Sequence, residues 1–186
     1  MKLINNSLKF SEFRIVLFIF KNIYENKIRD IHFHASDFFK CSNIKSGTKY
    51  QYIKNNINNL KNLNIFEYID IDNSFNINAV LRKDIYEDFI NKKYCLKLKI
   101  KYDYLFKIDN YNCLLVLFKL TNNHNEFDLQ EFKNYLNIGD KYKIYSDLKK
   151  TVIDIIVKNS KILGYDIGYK AIRIGRKISK LKFEIF

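Results

Sequence analysis

Two histidines separated by one hydrophobic residue, His32-Phe33-His34, are the residues whose types and spacing suggest metal chemistry most directly. Alternation along a strand would place both imidazoles on one face, where they could hold a divalent metal beside a nucleophilic tyrosine. No further ligand is evident, because His124 lies in the other half of the chain. The alternative is two exposed histidines on an edge strand. We therefore expect neither a metal site nor catalysis here.

A second chemistry is predicted for residues 48–63, an amphipathic helix whose polar face carries no acid. Its apolar stripe is Tyr50, Ile53, Ile57 and Leu60, at helical spacing. No Asp or Glu occurs between residues 38 and 66. Because a solvated helix usually mixes the two signs of charge, this absence indicates that the polar face meets an anion.

The side chains of that face suit duplex DNA. Lysine neutralises phosphate and can donate to guanine, glutamine and asparagine can pair with the adenine edge, and tyrosine can contact phosphate or a thymine methyl. The predicted base-reading residues are Lys49, Gln51, Tyr52 and Asn55. Phosphate contacts are predicted for Lys45 and Lys54. The competing interpretation is an ordinary polar surface helix in a protein rich in Asn and Lys.

A second reading helix is predicted over 147–161, where Lys149 and Lys150 face outward as candidates for base readout. Asp147 and Asp154 interrupt its positive face. The predicted phosphate contacts of this half are Lys141, Lys143, Tyr145, Arg173, Arg176 and Lys177. Its closing hairpin is predicted to turn at Gly175 and to bury Leu181, Phe183 and Ile185.

The elements that must position these residues follow the same order twice. Each half reads as helix, short strand, helix, turn, helix and hairpin. The predicted helix starts are Ser36, a Thr48–Gln51 capping box, Asp128 with Glu131 three residues on, and Ser146. That order is a helix-turn-helix with an appended β-hairpin wing. The prediction is an α+β fold of two tandem winged-helix domains, 1–80 and 109–186. Residues 81–108 form a connector. It contains a predicted helix and, over 94–102, a stretch that alternates like a strand.

Composition narrows the partners. The 186-residue chain has a formal net charge of +13, which favours a polyanion, with nucleic acid first. The excess is +7 in residues 1–100 and +6 in residues 101–186, so both halves are basic. No apolar run is long enough for a membrane span, and no signal peptide is evident, so we expect a cytoplasmic protein that does not bind membranes.

The remaining chemistry-bearing residues predict no cofactor. Cys41, Cys95 and Cys113 are far apart and form no CxxC pair, which argues against zinc and against a disulfide framework. None of the five glycines is followed by Lys-Ser or Lys-Thr, so no Walker loop is present. We expect any ATPase to be supplied by a partner.

The second half resembles the C-terminal winged-helix domain of the replication initiators of iteron-type plasmids. The match runs through "FDLQEFKNYLNIGDKYKIYSDLKKTVID" and "YKAIRIGRKISKLKFEIF". It rests on Leu129, Glu131, Phe132, Tyr142, Tyr145, Asp147, Leu148, Lys149, Lys150, Val152, Ile153, Gly175, Arg176, Lys177, Ile178, Leu181, Phe183 and Ile185. The first half resembles the family by its architecture.

The resemblance implies a non-enzymatic initiator that binds direct repeats of double-stranded DNA at an origin. It also implies origin opening, recruitment of host replication proteins such as a helicase or initiator, and a possible homodimer that represses its own gene. Two alternatives stay open at this stage. One is a winged-helix transcriptional regulator without a role in replication. The other is a metal-dependent nicking initiator of the rolling-circle type, using His32 and His34.

Overall fold

The computed structural model describes residues 8–42, 44, 47–91 and 100–186. The chain divides into two compact units, Met1–Cys95 and Leu96–Phe186. This division falls within the stretch 81–108 for which the sequence predicts a connector. Most of the strand-like stretch over 94–102 lies outside the described residues.

The first unit has the winged-helix order expected from the sequence. Its elements are α1 (Phe10–Asn26), β1 (Asp30–His34), α2 (Ala35–Ser42), α3 (Lys49–Leu60), β2 (Phe66–Ile71), β3 (Asn76–Leu81) and α4 (Lys83–Ile90). The strands form an antiparallel sheet in the order β1-β3-β2, so that the β2–β3 hairpin is the wing. Helix α4 packs on α1, where the rings of Phe89 and Phe20 lie 4.8 Å apart.

The core of this unit is built from the apolar stripes of its helices. Ile15, Ile19 and Ile23 of α1 are fully buried, as is Phe38 of α2. On α3, Ile53, Ile57 and Leu60 are fully buried, as the periodicity predicts, while Tyr50 of the predicted stripe is only half-buried and Asn56 is also buried. The polar face of α3 is therefore turned away from the core.

Two predicted helix caps in the first unit are wrong. Helix α2 begins at Ala35, so Ser36 lies inside it, and the amide of Ser36 donates to His34 Nδ1 at 3.2 Å. The Thr48 side chain makes no capping hydrogen bond to α3. Instead of closing a capping box, Gln51 Nε2 donates to Asn55 Oδ1 at 2.7 Å. In both places a nearby side chain competes successfully for the predicted bond.

A buried carboxylate, Glu12, joins α3 to the start of α1. Only 3% of Glu12 is exposed. Its Oε2 accepts a hydrogen bond from the Lys9 amide at 2.8 Å, and its Oε1 accepts one from Asn59 Nδ2 at 2.9 Å. Because a buried carboxylate is stable only with such partners, these bonds fix α3 against α1.

The second unit repeats the order. Its elements are α5 (Tyr102–Leu105), α6 (Asn112–Thr121), β4 (Glu126–Asp128), α7 (Leu129–Tyr135), a 3₁₀ turn (Gly139–Lys141), α8 (Tyr145–Leu148), a π turn (Lys149–Ile153), α9 (Asp154–Ile162), β5 (Ile167–Ile174) and β6 (Lys177–Ile185). The sheet order is β4-β6-β5, all antiparallel, and β5–β6 is the wing.

The helix starts of the second unit agree with the sequence in one case and not in the other. Asp128 Oδ1 accepts from the Gln130 amide at 2.9 Å and caps α7, as predicted. Ser146 does not cap the reading helix, because that helix begins at Tyr145 with Ile144 as its cap residue. The helix then runs through α8, the π turn and α9.

The closing hairpin confirms most of its predicted packing. Gly175 has φ +61°, the left-handed conformation that favours glycine at a tight turn. Leu181 and Phe183 of β6 are fully buried. Ile185, which the alternation pattern predicts to be buried, is 41% exposed because it lies at the end of the strand beyond the core.

Candidate nucleic-acid interface

The exposed face of α3 carries the predicted reading pair of the first unit. Gln51 and Asn55 are exposed and lie one helical turn apart. Their hydrogen bond, from Gln51 Nε2 to Asn55 Oδ1, leaves the side-chain oxygen of Gln51 and the side-chain nitrogen of Asn55 available to other partners. Such a donor and acceptor set matches the N6 and N7 edge of adenine.

The two described lysines of this face are free of acidic partners within the described residues. Lys49 lies at the start of α3, with its Nζ 5.5 Å from the ring centre of Phe39 and 5.4 Å from that of Tyr50. Lys54 is half-buried on the same helix. Their positive charges are therefore available to an anion. Lys45, the other predicted phosphate contact, lies outside the described residues.

Tyr52 takes a different orientation from the other predicted readers. Its side chain is half-buried and lies against α1, where Ser11 and Arg14 are its neighbours. Burial raises the pKa of Tyr52 above its usual value. The structure thus brings Gln51 and Asn55 together on the outer face and places Tyr52 at the α1 side.

On the second reading helix the two adjacent lysines differ in their partners. Lys150 is exposed and has no acidic partner in the described part of the chain. Lys149 Nζ lies 3.1 Å from Asp154 Oδ2. The hydrogen bond with Asp154 raises the pKa of Lys149 and holds its ammonium group beside that carboxylate. Lys150 is therefore the freer of the two to contact DNA.

A basic cleft of about 470 Å³ lies between the wing tip and the start of the reading helix in the second unit. We call it the wing cleft. Its lining residues are Leu129, Lys133, Tyr142, Lys143, Tyr145, Leu148, Arg173, Arg176, Lys177 and Ile178. Five predicted phosphate contacts, Lys143, Tyr145, Arg173, Arg176 and Lys177, thus come together around one cavity. None of the described residues that line it is acidic, so the cleft suits a backbone phosphate.

Lys133 and Tyr142 line the wing cleft but are not among the DNA contacts predicted from the sequence. Lys133 is 9% exposed, and its Nζ donates to the Tyr142 carbonyl oxygen at 2.7 Å. A single lysine on an amphipathic helix is ordinarily solvated, so Lys133 carries no sequence signal.

Lys141, the remaining phosphate contact predicted for this half, lies outside the cleft lining. It is exposed, and its Nζ lies 5.7 Å from the centre of the Tyr142 ring.

The wing cleft also contains an uncharged hydroxyl donor. Burial, with a smaller contribution from the neighbouring Tyr169 hydroxyl, raises the pKa of Tyr145 to about 12. The phenol is therefore protonated at neutral pH and can donate to a phosphate oxygen.

Ile178 reaches the wing cleft because of a bulge in the hairpin. Ile172 pairs with Lys180 and Arg173 with Ile178, so Ser179 is the additional residue. The Ser179 hydroxyl donates to the Ile172 carbonyl oxygen at 3.3 Å. Simple alternation would place Ile178 on the face of Lys180, which the bulge prevents.

Cations elsewhere in each unit are commonly held by acids. Arg29 pairs with Glu67 in the first unit, and Lys61 Nζ lies 2.6 Å from Asp70. In the second unit the paired lysines lie 2.7–3.4 Å from their acids: Lys158 with Asp109, Lys161 with Asp166, Lys180 with Glu126 and Lys182 with Glu184. Among the predicted DNA contacts that the structure describes, only Lys149 has such a partner.

The histidine pair has local partners within the first sheet. His32 Nδ1 contacts Asn78 Oδ1 across the β1–β3 register. His34 Nδ1 lies 2.7 Å from Ser36 Oγ, and its Nε2 lies 3.1 Å from the Ser74 carbonyl oxygen. The described residues contain no group of three or more His, Cys, Asp or Glu side chains that could hold a metal ion. In the same residues, no helix has the length and apolar character that a membrane crossing requires.

Comparison with solved structures finds the same two-unit fold. The Pi initiator protein, solved in a complex with iteron DNA, has a TM-score of 0.70 and 19% identity, with 96% of this chain and 90% of that chain covered. Two structures of domains 2 and 3 of RctB give TM-scores of 0.65 and 0.64 at 10% and 11% identity, each covering 97% of this chain and 83% of the other. No curated protein matches the sequence significantly.

Comparison with protein families matches both halves of the chain. Residues 1–114 match the family described as initiator replication protein, WH1, and residues 128–185 match initiator Rep protein, WH2. The two winged-helix units and the unpaired basic surfaces agree with these matches. The chain therefore belongs to the initiator replication protein family, with its WH1 and WH2 domains in that order.

Proposed function

We propose that this chain initiates plasmid replication by binding tandem repeats of duplex DNA at the origin. The observation that carries the proposal is the separation of cations into two sets. Those on α3, on the second reading helix and around the wing cleft are mostly free of acids, whereas many others are ion-paired. The solved complex of the similar Pi protein with iteron DNA supports repeats as the target.

In this proposal each unit combines a reading helix with contacts to phosphate. Lys49, Gln51 and Asn55 read bases in the first unit, while Lys54 holds the backbone. In the second unit the wing cleft takes the backbone phosphate and the outer face of the reading helix meets the base edges. The side chains around both faces are positioned by buried stripes, so the readers sit on rigid elements.

Later steps belong to the proposal as well. Origin opening would follow binding, and host proteins such as a helicase or initiator would be recruited to the opened strand in the cytoplasm. The family resemblance supports both steps, and it supports a homodimer that represses transcription as a second form. A helicase or initiator partner would supply the ATP hydrolysis.

The proposal is tested by the salt dependence of binding to a labelled duplex. The duplex carries the tandem repeats found in the DNA next to the gene that encodes this chain. If about six to ten phosphates are neutralised, affinity should fall by about three to five decades between about 50 and 200 mM salt. A nearly flat response would contradict the proposal. An origin plasmid that replicates only when the protein is supplied separates an initiator from a regulator, since a regulator would bind a promoter without supporting replication.

We further propose that the chain acts without catalysis. The contacts of the histidines support this, because Ser36 and Ser74 engage both ring nitrogens of His34, and Asn78 engages Nδ1 of His32. Substituting His32→Ala and His34→Ala together should leave single-strand nicking in the presence of Mn²⁺ at the background level of the wild type. A nicking activity in the wild type that the double substitution abolishes would refute the proposal.

A further inference from the structure

The buried stripes of the two reading helices match, apart from one additional residue in the second. Ile53, Ile57 and Leu60 are all fully buried, and so are Leu148, Ile153 and Ile156. Ile53 and Ile57 are four residues apart, whereas Leu148 and Ile153 are five apart. The final intervals, Ile57 to Leu60 and Ile153 to Ile156, are both three residues.

The π turn over Lys149–Ile153 accounts for the additional residue. A π turn closes i→i+5 hydrogen bonds and so accommodates one more residue than an α turn. Leu148 therefore corresponds to Ile53, before the insertion. Counting two residues back from this buried position relates Ser146 to Gln51. For Asn55, counting forward from Leu148 gives Lys150, whereas counting back from Ile153 gives Thr151. We take Lys150, because it lies four residues from Ser146, as Asn55 lies four residues from Gln51.

Ser146 and Lys150 have the exposure that this correspondence requires. Both are exposed, and neither side chain has a hydrogen bond or ion pair in the described part of the chain. Lys149, which corresponds to Lys54, lies beside them but is paired with Asp154. Ser146 and Lys150 therefore lie next to each other on the exposed face of the second reading helix.

We propose that Ser146 and Lys150 are the base-reading pair of the second unit, in the positions that Gln51 and Asn55 hold in the first. The proposal rests on the function proposed above and adds a reader, Ser146, for which the sequence predicts only a helix cap. Lys150 can donate to the O6 and N7 of guanine, and the Ser146 hydroxyl can donate or accept. Gln51 and Asn55 instead suit adenine, so the two units should prefer different bases.

The correspondence is tested by moving the first pair into the second unit. The full chain with Ser146→Gln and Lys150→Asn is used to select duplexes from a library with a randomised central segment. The wild type should enrich guanine at the position that the second unit reads. In the swap, adenine should be enriched at that position instead. The adenine preference of the first unit is identified separately, as the element that is lost from the enriched sequence when Gln51 and Asn55 are both replaced with alanine. The preference at the affected position should change by roughly 5- to 150-fold, the value of one good bidentate pair.

A matched control moves the same two side chains one residue along the helix, as Asp147→Gln with Thr151→Asn. This control should not transfer the adenine preference, and a transfer by the control would overturn the assignment. If the wild type enriches a sequence and the swap leaves it unchanged, the inference fails while the proposed function stands. If the wild type enriches no sequence, the proposed function itself fails. If circular dichroism shows that the swap does not fold, Ser146→Ala with Lys150→Ala decides the question. In that variant the base preference at the same position of the duplex must be lost.

Discussion

Replacing Phe183 with alanine is expected to reduce the free energy of unfolding of the second unit by about 3–5 kcal/mol, the usual cost of removing a buried phenylalanine. Phe183 is fully buried in β6. Its ring centre lies 5.5 Å from that of Phe132 on α7 and 5.9 Å from that of Phe127 on β4. The substitution would therefore open a cavity where the wing strand meets the helices. Urea unfolding of the full chain measures the loss.

The same strand provides the control for this substitution. Ile185 is 41% exposed, so Ile185→Ala should cost less than Phe183→Ala, about 1–2 kcal/mol, because a large part of the residue is already in water and fewer atoms are removed. Equal losses for the two substitutions would show that the aromatic contacts of Phe183 do not hold the wing to the unit. Because β6 leads out from the wing tip, Phe183→Ala should also weaken DNA binding.

Replacing the four basic residues of the wing cleft outside α7, Lys143, Arg173, Arg176 and Lys177, with alanine should weaken binding to every duplex about equally. Each side chain is assigned to phosphate, so the change carries no base preference. The slope of log affinity against log salt should become shallower by about four, roughly one for each lost phosphate contact. Fluorescence anisotropy over a salt series, on specific and random duplexes, measures both effects.

A control with the same change in net charge uses Lys158, Lys161, Lys180 and Lys182, all replaced by alanine. These lysines are each paired with an acid in the second unit. If affinity follows net charge alone, both quadruple variants will shift the salt slope equally, which would contradict a localised wing cleft. If phosphate is bound where the cations are free, only the first variant will make the slope of log affinity against log salt shallower by about four.

Much of the fold follows from periodicity in the sequence. The buried stripe of α3 and the closing hairpin of each unit could be predicted, because helical spacing and strand alternation depend on residues that are close together in the sequence. The helix starts were harder to predict. Ser36, Thr48 and Ser146 have the correct residue type for a cap, but the geometry of His34, the Gln51–Asn55 bond and the start at Tyr145 decide otherwise. Caps depend on competition between bonds of similar strength, which composition does not resolve.

The positive charge of the candidate interface could be predicted from the sequence, but the pairing of its cations with acidic side chains could not. Lysines and arginines could be selected from the sequence because nucleic acid requires cations. That Lys149 is neutralised by Asp154 could not be foreseen, since the two are five residues apart and side-chain pairs on an α-helix form at three or four. The π turn brings them together. The gathering of Lys133 with the wing tip likewise depends on tertiary packing.

The buried Glu12 has a consequence for how the first unit binds. Its bonds to the Lys9 amide and to Asn59 hold α3 in place in the absence of DNA. A helix that is already ordered loses little conformational entropy when it enters the groove, so more of the contact energy appears as affinity. The reading face is pre-organised, and discrimination between sequences should lie in how slowly the correct complex dissociates rather than in how quickly it forms.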